Sequence, residues 1–305
     1  MLPLFYSELY TGAISDDARF PKHRYRRVRE RLSERGVDAA CDVRQSRAAR
    51  RDELLLVHDE SFVDAFVEGT LDRHAIRRIG FRPWKESFVD RALTITGGSI
   101  DALHAALSGS RIAGNLAGGT HHAFRAHGEG YCVFNDIAIC AEIAKREYRV
   151  ERVFVVDLDV HQGNGTAAIF ADDSHVFTYS LHCQKNYPFR KKDSDADVGV
   201  EEGAGDDTDL EALERSLPRL LYDFRPDLLL FQAGTDPLAE DGLGRLNLTR
   251  AGLAARNEMV FDYADYWELP VVVFMGGGYS EPIEHSVEAH VDVFEEAARR
   301  VTARE

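Results

Sequence analysis

The chain has 305 residues, 44% hydrophobic and 29% charged, with a formal net charge of -15, a composition that excludes disordered and fibrous chains and a length ample for a sizeable core. The acidic balance argues against direct binding of nucleic acid and is compatible with a cationic substrate. No apolar run approaches membrane-spanning length, and Met1–Tyr6 lacks the basic region and cleavage site of a signal peptide, which predicts a cytoplasmic protein without a membrane partner.

Leu4 to Tyr6 reads as a first strand. After Asp16-Asp17, the basic segment Lys22 to Arg35 has helical spacing, with Tyr25, Val28 and Leu32 on its apolar side and its arginines on a solvated face. Ala39 to Val43 and Leu54 to Val57 read as strands and Ser61 to Glu68 as a short helix. A long helix is predicted from Trp84 to Leu107, where Gly97-Gly98 allows another backbone to approach closely. The cysteines Cys41, Cys132, Cys140 and Cys183 form no C-x-x-C pair and read as structural thiols of a reducing compartment.

From Arg111 onward the rhythm is regular. Apolar runs at Ile112 to Leu116, Val153 to Leu158, Val176 to Leu181, Leu228 to Phe231 and Val271 to Met275 are each followed by a polar or glycine-rich loop and a helical stretch. This alternation predicts an α/β fold with a mostly parallel sheet and helices on both faces. Lys185 to Asp209, charged and carrying Gly199, Gly203 and Gly205, reads as a long surface loop lining or covering something.

The central stretch is Val153 to Thr166, a β-branched run that ends in Asp157, Asp159 and His161 ahead of a glycine turn. Strand alternation sends those three side chains to one face just beyond the strand, where α/β sheets carry their chemistry. Two readings stay open from spacing: a divalent metal site for Zn²⁺, Fe²⁺ or Mn²⁺, or two aspartates capping the next helix over a packed histidine. Other strand ends add Gly118-Gly119-Thr120-His121-His122-Ala123-Phe124, Gln232-Ala233-Gly234-Thr235-Asp236 and Gly276-Gly277-Gly278-Tyr279. If the sheet is parallel, these loops bring acid, base, ligand and electrophile to one crevice.

Together these motifs, with G-E-G-Y-C-V-F-N-D at Gly128, Arg19-Phe20-Pro21-Lys22 and Ile79-Gly80-Phe81, closely resemble the zinc-dependent histone deacetylase family. The resemblance is greatest to its compact class IV branch and bacterial homologues. It implies the arginase/deacetylase fold, a single domain over residues 1–305 with an eight-stranded, mostly parallel sheet. It implies one zinc per chain on Asp159, His161 and Asp236, His121 and His122 as an acid/base pair, and Tyr279 as the oxyanion's hydrogen-bond donor. Asp157 then orients His121 and, with the carbonyls of Asp159, His161 and Leu181 and the side chain of Ser180, holds a structural K⁺ or Na⁺. Asn164 falls where some members carry an Asp behind the second histidine, so a less basic His122 is expected.

By the same resemblance Tyr131 and Tyr187 line an acyl tunnel, Gly130 offers its carbonyl to the substrate amide, Gly277 borders the site and Leu243 sits at the rim. The apolar Leu243 stands where a polyamine-selective relative has an acid, which argues against polyamines. Arg24 is placed under the site, and Glu86 and Asp90 are candidates for a rim acid that grips peptide backbone. The implied activity is hydrolytic removal of acetyl or longer acyl groups from acyl-lysine in a protein or peptide. The rivals are deacylation of a small-molecule amide, a two-manganese ureohydrolase on the same fold and an inactive acyl-lysine binder. The ureohydrolase chemistry wants a D-x-H-x-D run, whereas Gln162-Gly163-Asn164 follows His161.

Overall fold

In the computed structural model, which describes residues 1–12, 14, 20–81 and 84–303, each regular apolar run is a strand. The chain runs β1 (Leu2–Tyr6), α1 (Arg24–Glu34), β2 (Cys41–Gln45), α2 (Arg51–Leu54), α3 (Glu60–Val67), α4 (Arg73–Ile79), α5 (Ser87–Ala105) and β3 (Ile112–Asn115). It continues through α6 (Asp136–Glu147), β4 (Val153–Asp157), α7 (Asn164–Phe170), β5 (Val176–Cys183), β6 (Ala196–Val200) and α8 (Asp206–Phe224). β7 (Leu228–Gln232), α9 (Arg250–Tyr266), β8 (Val271–Phe274) and α10 (Glu284–Thr302) complete it. Asp16, Asp17 and Arg19 lie outside the described residues.

Among the described residues the eight strands form one sheet in the order β2-β1-β3-β8-β7-β4-β5-β6, with every neighbouring pair parallel. Both faces are covered, and β3 shows how. A Cβ on Gly114 would press on Phe294 of α10, whereas the next residue, Asn115, donates to Ile95 O and Ser99 Oγ of α5 at 2.9 Å each. Successive residues of a strand face opposite ways, so α10 and α5 lie on opposite faces. A strand covered on both sides needs apolar residues at every position, which is why Val153–Val156 and Leu228–Phe231 are continuous apolar runs. All eight of these residues are buried, each contributing roughly 1.5–3 kcal/mol for a fully buried large apolar side chain.

The order of the central strands places the site. β3, β8, β7 and β4 are contiguous, so the loops at their C-terminal ends are neighbours although they are far apart in sequence.

Three local expectations are corrected. Leu54 to Val57 is not a strand but the end of α2 and a following turn, with Leu54 N–H and Val57 N–H donating to Arg50 O and Leu54 O at 3.2 Å each. Four apolar residues are too few to tell a strand from a buried helical turn, and Glu53, accepting from Arg50 N–H at 2.7 Å, starts the helix. Lys185 to Asp209 is not all loop: it holds β6 and the start of α8. As the sheet's edge, β6 is buried on neither face for most of its length and lacks the apolar signature of the inner strands. The arginines of α1 are only partly a solvated face. Arg27 pairs with Glu30 at 2.6 Å on the surface, but Arg31 and Arg35 bridge to Glu288 and Asp292 of α10, and Arg24 is buried. The glycine pair in α5 behaves as expected: a Cβ on Gly97 would overlap the backbone of Arg47 and Ala49, and one on Gly98 the Tyr10 hydroxyl. All four cysteines are free and buried. No described helix is long and apolar enough to cross a membrane.

Candidate active site

Four loops meet beyond the central strands. After β3, Gly118 and Gly119 take φ of 79° and 81°, and a Cβ on Gly119 would overlap the Gln232 side chain. The buried Asp136 pins this turn by accepting from Gly119 N–H at 3.1 Å and Thr120 N–H at 2.8 Å, which sets the two histidines that follow. After β4 the chain does not cap the next helix with its aspartates: the residue preceding α7 is Gly163, and no side chain caps it. The aspartates turn inward instead.

Asp159, His161 and Asp236, all buried, place one ligand atom each within 4.8 Å of one another. Among the described residues this is the one such cluster of three. His161 Nδ1 lies 3.0 Å from Asp159 Oδ1 and 3.0 Å from Asp236 Oδ2. The remaining carboxylate oxygens are held by backbone, Asp159 Oδ2 by Gly277 N–H at 2.7 Å and Asp236 Oδ1 by Val160 N–H at 2.9 Å. Gly277 is required there, since a Cβ would overlap Asp236 Oδ2. Burial, reinforced by the Asp159 carboxylate, drives the Asp236 carboxyl up to about 7. Burial opposes charge on His161, but the two carboxylates outweigh it and push the imidazole up to about 10. Two crowded buried acids around an imidazole favour an added positive charge. The nitrogen and oxygen donors suit a borderline divalent cation with open positions left for other ligands.

The tandem histidines stand beside this cluster. His121 Nδ1 lies 2.7 Å from Asp157 Oδ2, His122 Nδ1 2.7 Å from Asn164 Oδ1, and the two Nε2 atoms face each other at 3.1 Å. A carboxylate only accepts, so His121 Nδ1 donates to Asp157. Burial disfavours charge on His121, but Asp157 and then Asp159 overcome it and raise the imidazole to about 9. Burial, followed by the charge on His121, holds His122 well below the usual imidazole value. The arrangement offers a neutral base next to a charged acid.

Tyr279 follows β8. Its N–H donates to Asp241 Oδ2 at 2.6 Å, and the Arg24 guanidinium lies 5.5 Å from its ring centre. Arg24 is buried at the wall of the site's cavity and donates to Gly278 O and, at 2.9 Å, to Gly276 O. Burial raises the Tyr279 phenol well above its ordinary value, so it remains a donor at neutral pH.

Asp159, His161, His121, His122, Tyr279 and Arg24 line one cavity of about 580 Å³. Gly130, Tyr131, Tyr187, Leu243 and Gly277 line it, and Phe20 and the 82% exposed Phe189 join them. The Tyr187 ring stands across His122 at 5.0 Å and 82°. Gly130 O is approached by Cys132 Sγ at 3.5 Å. Ser180 and Leu181 are buried on β5, with Ser180 paired to Asp157 across the β4 to β5 ladder. Glu86 and Asp90 are exposed and do not line the cavity, so neither is placed as a rim acid.

Sequence reasoning missed Asp136, Asp241 and Glu129. Asp241 accepts from Leu243 and Gly244 N–H at 2.8 Å each besides Tyr279 N–H, which ties the rim to the Tyr279 loop. The D-G-L-G run carries the signal of an Asx turn, but its partner at Tyr279 follows only from strand order.

A family model described as "Histone deacetylase domain" matches residues 18–294. An uncharacterized protein of Picosynechococcus sp. is 41% identical over 299 residues, 98% of this chain and 99% of its own length. Acetoin utilization protein AcuC of Staphylococcus aureus is 30% identical over 298 residues, 91% of this chain and 76% of its own. Histone deacetylase 2 of Arabidopsis thaliana is 36% identical over 168 residues, 54% of this chain and 43% of its own. The crystal structure of the HDA15 HD domain matches in fold with a TM-score of 0.81 at 24% identity, covering 95% of this chain and 89% of that one.

Proposed function

Since the chain belongs to the histone deacetylase family, we propose that it is a zinc-dependent hydrolase that removes acetyl or longer acyl groups from acyl-lysine side chains of a protein or peptide. The observation that carries this is that Asp159 and His161, clustered with the buried Asp236, line one cavity with the His121–His122 pair and Tyr279. We take the catalytic unit to be one domain over residues 1–305 in the cytoplasm, acting without nucleic acid or membrane. By its motifs we group it with the compact class IV branch.

Asp159, His161 and Asp236 would hold the zinc, which when bound would polarise the acyl carbonyl and acidify the attacking water. His122, neutral and with Nδ1–H held by Asn164, accepts the proton of that water as its oxygen bonds to the carbonyl carbon. Tyr279 donates a hydrogen bond to the carbonyl oxygen as negative charge develops there. The histidine pair then delivers a proton to the leaving lysine nitrogen as the C–N bond breaks, and a carboxylic acid and a free amine leave. Asp157 keeps His121 oriented and charged. With Ser180 and the carbonyls of Asp159, His161 and Leu181 it also forms the cradle for a K⁺ or Na⁺ ion. Tyr131 and Tyr187 guide the acyl-lysine stem, Gly130 accepts from its amide and Gly277 holds the metal acid in place. The apolar Leu243 at the rim disfavours polyamines.

The test is a screen of acetyl-, octanoyl- and myristoyl-lysine peptides with zinc-loaded protein. Hydrolysis of at least one peptide, abolished by a chelator and restored by zinc, is the expected result. Turnover that survives the chelator would contradict it. A small-molecule amide is the second reading, favoured by the similarity to a protein named for acetoin utilization. Free acetyl-lysine and simple N-acetyl amines in the same screen separate the two, because a small-molecule enzyme turns these over and leaves the peptides intact.

A further inference from the structure

The group that orients His122 is an amide, and an amide is ambiguous, since either its oxygen or its NH₂ can face an imidazole nitrogen. The two choices set opposite tautomers. An oxygen facing Nδ1 accepts Nδ1–H and leaves Nε2 as the basic atom, whereas an NH₂ facing Nδ1 leaves Nε2 protonated and unable to take a proton.

Glu129 resolves the ambiguity. Its Oε1 lies 3.3 Å from Asn164 Nδ2 and also accepts a hydrogen bond from the Tyr187 hydroxyl, while Oε2 lies 3.8 Å from His127 Nε2. An ionised carboxylate only accepts, so the edge of Asn164 that meets it must be the NH₂. That turns Asn164 Oδ1 to His122 Nδ1, 2.7 Å away. The carboxylate stays ionised, because His127 holds it below the usual range against partial burial, and Tyr187 and Asn164 add to the effect.

The backbone aims the side chain. Glu129 and Cys132 exchange hydrogen bonds of 2.9 and 2.8 Å, and the next two residues, at φ of 54° and 66°, donate to Arg78 O at 3.2 Å and Ile79 O at 2.7 Å. Glu129 does not line the cavity and touches no reacting atom. We propose that Glu129 is a positioning residue, which fixes the tautomer of His122 through the amide of Asn164 and supplies, one residue removed, the acceptor that a carboxylate at position 164 would have provided directly. The inference rests on His122 being the proton acceptor.

The experiment is a double-mutant cycle on the zinc-loaded protein, using Glu129→Gln, Asn164→Ala and both together. It reads kcat and KM on a turned-over peptide alongside ¹⁵N spectra of the histidine rings, with the His122 signal assigned by its loss in His122→Gln. Glutamine keeps an acceptor for Tyr187 but can present either edge to Asn164. Glu129→Gln is expected to lower kcat about 10-fold with a smaller change in KM, in line with the loss of other orienting partners. His122 is expected to change from one Nδ1–H tautomer to a mixture, and Glu129→Gln is expected to cost nothing further once Asn164 is alanine. An unchanged His122 tautomer in Glu129→Gln overturns the proposal. So does an equal loss in both backgrounds, which would place the effect at Tyr187. If no acyl-lysine peptide is turned over, the functional reading fails, and the ring spectra still decide the role of Glu129.

Discussion

Replacing Tyr279 with phenylalanine lowers kcat by about 10²–10³-fold, the usual cost of losing one oxyanion donor, while bound zinc and KM stay close to those of the parent protein. The substitution removes one oxygen and leaves the ring, whose neighbours Phe20 and Tyr131 lie 6.1 and 6.2 Å away and whose backbone is tied to Asp241. Packing is therefore preserved and the loss falls on the hydroxyl alone. Its contribution is confined to kcat because the charge it meets exists only after attack on the carbonyl. Metal analysis and steady-state kinetics on one preparation check this, and a variant with full activity would remove Tyr279 from the chemistry.

Replacing Asp236 with alanine abolishes both zinc retention and turnover. Its effect on the metal-free protein is the sum of two opposing changes. Val160 N–H loses its acceptor, at a cost of about 1–3 kcal/mol for an unpaired buried donor, but the crowding of two buried carboxylates is relieved. The diagnostic quantity is consequently the response to metal. Zinc bound to the native state is expected to raise the melting temperature of the parent, by about 2.7 kcal/mol of stability at a free concentration 100 times Kd. The Asp236→Ala variant shows no such rise. Calorimetry with and without zinc reads the difference, and an equal rise in both proteins would mean that the metal sits elsewhere.

How much of this was legible depended on whether the physical cause was local. Val153 to Asp157 declared itself because a strand buried on both faces is apolar without interruption, and the polar residues that follow stand out against it. The clustering of Asp159, His161 and Asp236 follows from loops that share one end of a parallel sheet; spacing alone leaves a metal site and a helix cap both open, and the family's motifs supply the ligand set. β6 stayed hidden because this edge strand carries an exposed Asp197 and Gly199 that read as loop, and Leu54 to Val57 misled because a four-residue apolar run fits either geometry. Glu129 and Asp241 could not be found from sequence. Each acts on a residue at least 35 positions away, Asn164 and Tyr279 respectively, and neither pairing exists until the strand order is known. In sequence Asn164 reads as a weaker substitute for a carboxylate; the structure adds Glu129 Oε1 3.3 Å from its Nδ2.

The central claim is that one divalent ion, held by Asp159, His161 and Asp236, is what the hydrolysis depends on. The most direct measurement is a zinc titration of metal-stripped protein that follows bound metal and acyl-lysine hydrolysis together. Activity rising from zero to a plateau at one zinc per chain is the predicted result. A plateau at two metals per chain, or full turnover by the stripped protein, would contradict it.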